Sequence, residues 1–111
     1  MADVLGAFEQ AVMLTVLRLG DGAYGRAILK AVQARLERDV AAGAVHSTLD
    51  RLERKGLLSS WLGTGTPVRA GRARRYYVVE AAGVRALNDA RQTVNEIWRG
   101  MKWPVGKVRS T

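Results

Sequence analysis

Gly43-Ala-Val-His-Ser-Thr-Leu-Asp-Arg-Leu-Glu-Arg-Lys-Gly-Leu57 decides how the rest of the chain is read. Val45, Leu49 and Leu52 recur at spacings of four and three, so a helix places them on one buried face. The opposite face then carries His46, Ser47, Asp50, Arg51 and Arg54, all able to bond a base edge or a phosphate. Lys55-Gly56 is a helix stop, a basic residue followed by a glycine. Beyond it, Leu57–Leu62 and Arg75–Val79 read as two strands around a loop, 63–74, that holds Gly63, Gly65, Pro67 and Gly71. No acidic residue occurs between Glu53 and Glu80, whereas Arg54, Lys55, Arg69, Arg72, Arg74 and Arg75 are all cationic. A helix with a polar outer face beside a basic hairpin is the pattern of a winged helix-turn-helix. The fold class expected is therefore mainly α with a small β-hairpin.

Composition agrees. At 111 residues, 48% hydrophobic and 25% charged, the chain has the make-up of one small folded domain. Its formal net charge of +8 favours a polyanionic partner, with double-stranded DNA first among candidates. The absence of cysteine removes disulfides, thiol nucleophiles and thiolate metal sites. With His46 the one histidine, neither a metal centre nor a histidine relay is expected, and no cofactor is. Asp3 and Glu9 interrupt the N-terminal region, and the apolar run Ala11–Leu17 is too short to span a bilayer. A cytoplasmic protein without a membrane partner is the expectation.

Ahead of the deciding stretch, residues 4–19 read as a first helix with an apolar stripe wider than one core contact requires. Leu5, Phe8, Val12 and Val16 lie on it, with Ala11, Leu14, Leu17 and Leu19 beside them. One side is expected to pack on the domain and the other on a second copy. Gly20-Asp21-Gly22 stops this helix, and a second runs from Tyr24 to about Glu37 with Ile28, Val32 and Leu36 inward. Tyr24 is either a core residue with its hydroxyl at the surface or a phosphate contact. Arg38–Ala42 is a connector with a strand fragment around Val40.

Beyond the hairpin, Ala81 to about Lys102 is helical. Gly83, Leu87, Ala90, Val94, Ile97 and Met101 make a heptad-like seam. Pro104 disfavours helix at Trp103 and is expected to set the end. So small a domain cannot cover this much apolar surface, which predicts a homodimer. Its contact would use Leu5, Val12, Leu87, Ala90, Val94, Ile97, Trp98 and Met101. The organisation expected is a DNA-binding unit over residues 1–79, a dimerisation helix over 80–103 and a tail over 104–111. Alternation puts Tyr76 and Tyr77 on opposite faces of the second strand, leaving open which is core.

The chain resembles the PadR family of transcriptional regulators, in its short form with a single C-terminal helix. The likeness rests on Leu5–Val12 (LGAFEQAV), Gly20–Gly25 (GDGAYG), Gly43–Leu57 and Gly71–Tyr77 (GRARRYY), in the family's order and spacing. It implies a dimeric repressor on a pseudo-palindromic operator, with the third helix in the major groove and the wing on the flanking backbone or minor groove. It also implies release by small molecules such as phenolic acids or drugs. Three positions depart from the family pattern: His46 stands for tyrosine, Ala41 for a serine N-cap, and Glu80-Ala81 for threonine-proline.

Roles follow from position. His46, Ser47 and Arg51 lie nearest the helix start, and arginine is the usual bidentate reader of guanine. His46 could donate to a phosphate, or stand as an exposed imidazole with no role. Either Arg51 or Arg54 could instead pair with Asp50, and Asp50 is read as orienting Arg54. Arg69, Arg72, Arg74 and Arg75 are read as phosphate contacts, which fix orientation rather than sequence. Trp98, with Phe8 and Val94, is a candidate site for a planar aromatic inducer near the dimer axis; ordinary interface burial explains the same residues. The alternative function is nucleic-acid binding without sequence preference. A purely protein-binding winged helix fits the acid-free wing poorly. An enzyme fits least, because no carboxylate pair, nucleophile–base pair or phosphate-binding glycine motif emerges.

Overall fold

The computed structural model describes residues 4–63 and 73–106. Its elements are α1 (Ala7–Leu19), α2 (Gly25–Leu36), α3 (Ala42–Arg54), β1 (Leu58–Leu62), β2 (Arg75–Val79) and α4 (Ala81–Ile97), with a 3-10 turn at Gly20–Gly22. The two strands form an antiparallel hairpin in which Leu58 faces Val79 and Trp61 faces Tyr76. The architecture is mainly helical with one hairpin, as the residue pattern predicts.

The core is where the three helical stripes meet. Val12, Met13 and Val16 from α1, Ile28 and Val32 from α2, and Val45, Leu49 and Leu52 from α3 are all buried, closed by Leu58 and Tyr77 of the hairpin. Each such side chain contributes about 1.5–3 kcal/mol when fully buried. The same packing settles the tyrosines: Tyr77 is core and Tyr76 only half-buried.

The end of α3 is a glycine-based stop. Gly56, at φ +78°, donates to the Glu53 carbonyl at 2.9 Å, and Leu57 donates to the Leu52 carbonyl at 3.0 Å. Those two bonds satisfy carbonyls that the helix leaves free. At the other end Ala41 is the N-cap and supplies no side-chain bond; Glu80, N-cap of α4, supplies none either. The Glu80 carboxylate instead accepts the Ser59 hydroxyl at 2.6 Å.

The structure corrects several expectations. No strand forms at Val40; its carbonyl accepts the Gln33 side chain at 2.9 Å. The extra bridge lies at Tyr24, opposite Tyr76, and the Tyr77 N–H donates to the Ala23 carbonyl at 2.8 Å. Helix α4 stops at Ile97, well before Pro104. Gly100 at φ +80° turns the chain first, a conformation that glycine adopts without a Cβ penalty.

Leu5, Val12 and Ala90, expected between two copies, are covered by their own protomer. They point into the three-helix core and the base of the hairpin, so no surface of theirs remains to share. What α1 leaves open is Leu14 and Leu17. The seam of α4 divides in the same way. Gly83 and Ala90 are buried at home and Leu87 half so, but every residue from Arg91 to Gly106 is exposed. Val94, Ile97, Trp98 and Met101 belong to that exposed stretch. The radius of gyration, 17.0 Å, exceeds the roughly 13 Å of a compact chain near this length, as a helix standing off its domain requires.

Candidate nucleic-acid interface

Helix α3 buries Val45, Thr48, Leu49 and Leu52 and turns the rest of its circumference outward. At 100° per residue, Gly43, Ser47, Asp50 and Arg54 lie along the centre of the exposed face, His46 and Glu53 border one edge, and Arg51 and Lys55 the other. Each position has its own partner. His46 Nε2 lies 3.6 Å from Asp50 Oδ2, one helical turn away. That imidazole is 71% exposed, so the pair contributes little to stability. Arg54 Nε reaches the Asp50 backbone carbonyl at 3.5 Å, a long contact that leaves its guanidinium in solvent. Asp50 therefore sets its carboxylate on His46 rather than orienting Arg54 with it. The Ser47 hydroxyl donates to the Ala44 carbonyl at 3.3 Å and stays exposed.

Arg51 does not pair with Asp50. Its Nε donates to Glu9 Oε2 of α1 at 3.3 Å, and Lys55 Nζ lies 3.6 Å from the same oxygen. The other oxygen of Glu9 accepts the Gly6 N–H at 3.0 Å. Burial pushes the Glu9 carboxyl up, but the Gly6 and Arg51 hydrogen bonds and the charges of Lys55 and Arg51 outweigh it. Its pKa lies below the usual carboxylate value. A contact between residues 42 apart carries no local sequence signal, and Glu9 had none of its own beyond being an acid on a mostly apolar helix.

The hairpin presents two faces. Toward α3, Arg75 Nη1 donates to Ser60 Oγ at 2.9 Å, and Ser60 in turn donates to Glu53 Oε2 at 2.7 Å. This relay fixes the hairpin against the end of α3. The other face carries an aromatic column. Trp61 stacks on Tyr76 with centroids 6.0 Å apart, and Tyr76 meets Tyr24 at 5.8 Å. The Arg74 guanidinium sits 4.2 Å from the centre of the Tyr24 ring. A cation above an aromatic face is attracted by the ring quadrupole, which holds Arg74 at the root of the hairpin, where its N–H groups donate to no other side chain among the described residues. Tyr24 thus serves as the seat of an arginine. Trp61 and the Ser60–Glu53 pair were not among the expected site residues, although the alternation of β1 could have placed Trp61 on an outer face. Arg69 and Arg72 lie outside the described residues.

Of the expected ligand residues, Val94 and Trp98 lie one helical turn apart at the exposed end of α4, the Trp98 N–H donating to the Val94 carbonyl at 3.0 Å. Phe8 packs against the core from α1, Val94 is exposed on α4, and Trp98 meets Trp103 at 5.8 Å. Among the described residues no helix is long and apolar enough to cross a membrane, and no cluster of acidic and histidine side chains could hold a metal ion.

Comparison with solved structures returns the same architecture. The PadR-like transcription factor from bacteroid fragilis is 24% identical, with 83% of this chain and 84% of that one covered at a TM-score of 0.67. A PadR family transcriptional regulator from Eggerthella lenta is 26% identical, with 82% and 80% covered at 0.59. One from Clostridium difficile is 22% identical, with 84% and 96% covered at 0.59. No curated protein matches the chain. The family model of transcriptional regulators described as PadR-like matches residues 13–89, from Met13 in α1 through the hairpin to Asp89 in α4. That span takes in α3, the hairpin and the root of α4, and the chain belongs to the PadR-like family of transcriptional regulators.

Proposed function

We propose that this regulator is a sequence-specific repressor that binds a pseudo-palindromic operator as a homodimer. The observation that supports it best is the open face of α3, where Ser47, Asp50 and Arg54 stand in solvent with His46 at the edge. A protein that binds only the backbone has little use for a hydroxyl and a carboxylate beside an arginine. In this reading Arg54 contacts guanine in the major groove, and Ser47 and His46 meet base edges near the start of α3. Arg74 and Arg75, with Arg69 and Arg72, lie on the flanking backbone. Residues 1–79 form the DNA-binding unit, 80–103 join two copies and 104–111 are a tail. Two copies place two reading helices on two half-sites about one helical turn apart. The cytoplasm is the matching compartment.

A binding titration tests this. The duplex upstream of the protein's own gene, set against a scrambled duplex at physiological salt, should be preferred by a hundredfold or more, with two chains per site. Arg54→Ala should relax that preference. Arg74→Ala should weaken both duplexes alike and flatten the salt slope by about one for each phosphate that is no longer neutralised. Equal affinity for the two duplexes would favour binding without sequence preference and defeat the repressor reading.

Release by a planar aromatic ligand completes the proposal. Trp98 and Val94 lie on the uncovered stretch of α4, where a second copy would bring two indoles together, with Phe8 of α1 as a further wall. Tryptophan fluorescence should then quench saturably on adding a planar hydrophobic dye, and Trp98→Ala should abolish the response. An unchanged response in that variant would remove the ligand from this site.

A further inference from the structure

Glu9 belongs to α1, outside the reading face, yet its carboxylate engages that face's border twice. Oε2 takes Arg51 at 3.3 Å and Lys55 at 3.6 Å, and Oε1 is fixed by the Gly6 N–H at 3.0 Å. The acid is 13% exposed, while Arg51 and Lys55 are 45% and 40% exposed. So the carboxylate is the anchored member and two solvated cations lean onto it. The other acids around α3 differ: Asp50 is on the reading face itself, and Glu53 holds the hairpin through Ser60. Glu9 alone among these three acids reaches α3 from another helix and draws cations away from the groove-facing side.

Phosphate contacts strengthen binding to every sequence equally. A free cation at the border of a reading helix therefore raises affinity for all DNA and adds no discrimination. We propose that Glu9 withholds Arg51 and Lys55 from the DNA backbone and so sets how tightly the protein holds DNA of any sequence, leaving the choice of site to the contacts of Ser47 and Arg54. The inference rests on the DNA-binding reading above and assigns Arg51 the opposite of a base-reading role. The low-lying Glu9 pKa agrees, since it keeps the carboxylate charged throughout the neutral range.

The test is a double-mutant cycle on the full chain, read as the salt dependence of binding to a scrambled duplex. Glu9→Gln keeps the side chain's shape and removes its charge. Its slope of log affinity against log salt should steepen by about 0.9 for each phosphate newly contacted. At 0.1 M salt, one such contact corresponds to about a tenfold gain for the scrambled duplex and for the operator alike, so affinity rises while the preference for the operator is unchanged. Arg51→Gln with Lys55→Gln should leave the wild-type slope unchanged, because those cations are already withheld. In the Glu9→Gln background the same pair should return the slope to the wild-type value. A Glu9→Gln slope equal to or shallower than wild type would overturn the inference. So would a wild-type slope flattened by the Arg51 and Lys55 changes, since both would then already touch phosphate. Thermal melts accompany each variant; if Glu9→Gln does not fold, the pair in the wild-type background still decides. Loss of operator preference by the wild type would count against the repressor reading alone, because the slopes on scrambled DNA judge Glu9 independently.

Discussion

Gly83→Ala should lower the stability of the chain by about 2–3 kcal/mol, the opposite of what the same change does in most helices. Inside a helix, alanine is ordinarily favoured over glycine by about 1 kcal/mol. At Gly83 the space for a methyl group is already taken. A Cβ there would run into the Leu57 carbonyl oxygen, and would lie 2.8 Å from Val79 Cγ1 and 3.0 Å from Met13 Cε. A side-chain methyl can rotate away, but the Leu57 carbonyl is backbone and accepts the Glu80 N–H at 2.9 Å. Relief requires α4 to lift off the base of the hairpin, which uncovers Met13 and Val79 together. Gly43 supplies the control. It is also helical, yet a Cβ there meets nothing within 4 Å, so Gly43→Ala should leave stability unchanged or raise it by up to about 1 kcal/mol. Urea unfolding of the two variants at one protomer concentration gives the comparison, the concentration being held fixed because association shifts the apparent value. A Gly83→Ala protein as stable as wild type would mean that α4 does not seat at this point.

Most of the fold was legible because it is written in short-range periodicity. Spacings of three and four gave α3 its buried side before any contact was known, and the turn residues 63–74 together with flanking β-branched and aromatic residues gave the hairpin. The features that escaped are long-range or competitive. Pro104 is a sound helix stop, but Gly100 comes first along the chain and turned it earlier. The apolar stripe of α1 was wide enough for two contacts, yet the stripe itself does not say which edge goes inward. Val12 went to the core and Leu17 to the surface. The site shows the same division. That α3 presents Ser47, Asp50 and Arg54 follows from helical geometry, whereas the pairing of Arg51 with Glu9 depends on how α1 crosses α3. The seat of Arg74 on Tyr24 likewise depends on a bridge between Tyr24 and Tyr76 that no local pattern announces.

Val94→Glu combined with Ile97→Glu should turn the regulator into a folded monomer and cost more than a hundredfold in operator affinity. Both side chains are exposed on the last turns of α4, with Ile97 70% and Val94 40% open to solvent. Glutamate is a good helix former, so the substitutions leave α4 and the three-helix core intact. If two copies meet over this stretch, four carboxylates would be forced into an apolar contact, and like charges brought together without partners are strongly disfavoured. The chain is 12.1 kDa, so sedimentation should move from about twice that mass to the single value, with unchanged helical circular dichroism. The loss of DNA binding follows from linkage: in a dimer the second half-site is engaged at an effective concentration of millimolar order, worth about 10²–10⁴ in affinity that a monomer forgoes. Each monomer would keep its own contacts from α3 and the wing, so binding to an isolated half-site should be nearly unaltered. A double variant that still sediments as a dimer would place the contact elsewhere, with Leu14 and Leu17 of α1 the next apolar surface to charge. A wild type that is already monomeric at micromolar concentration would remove the homodimer from the proposal and leave the exposed end of α4 for a different partner.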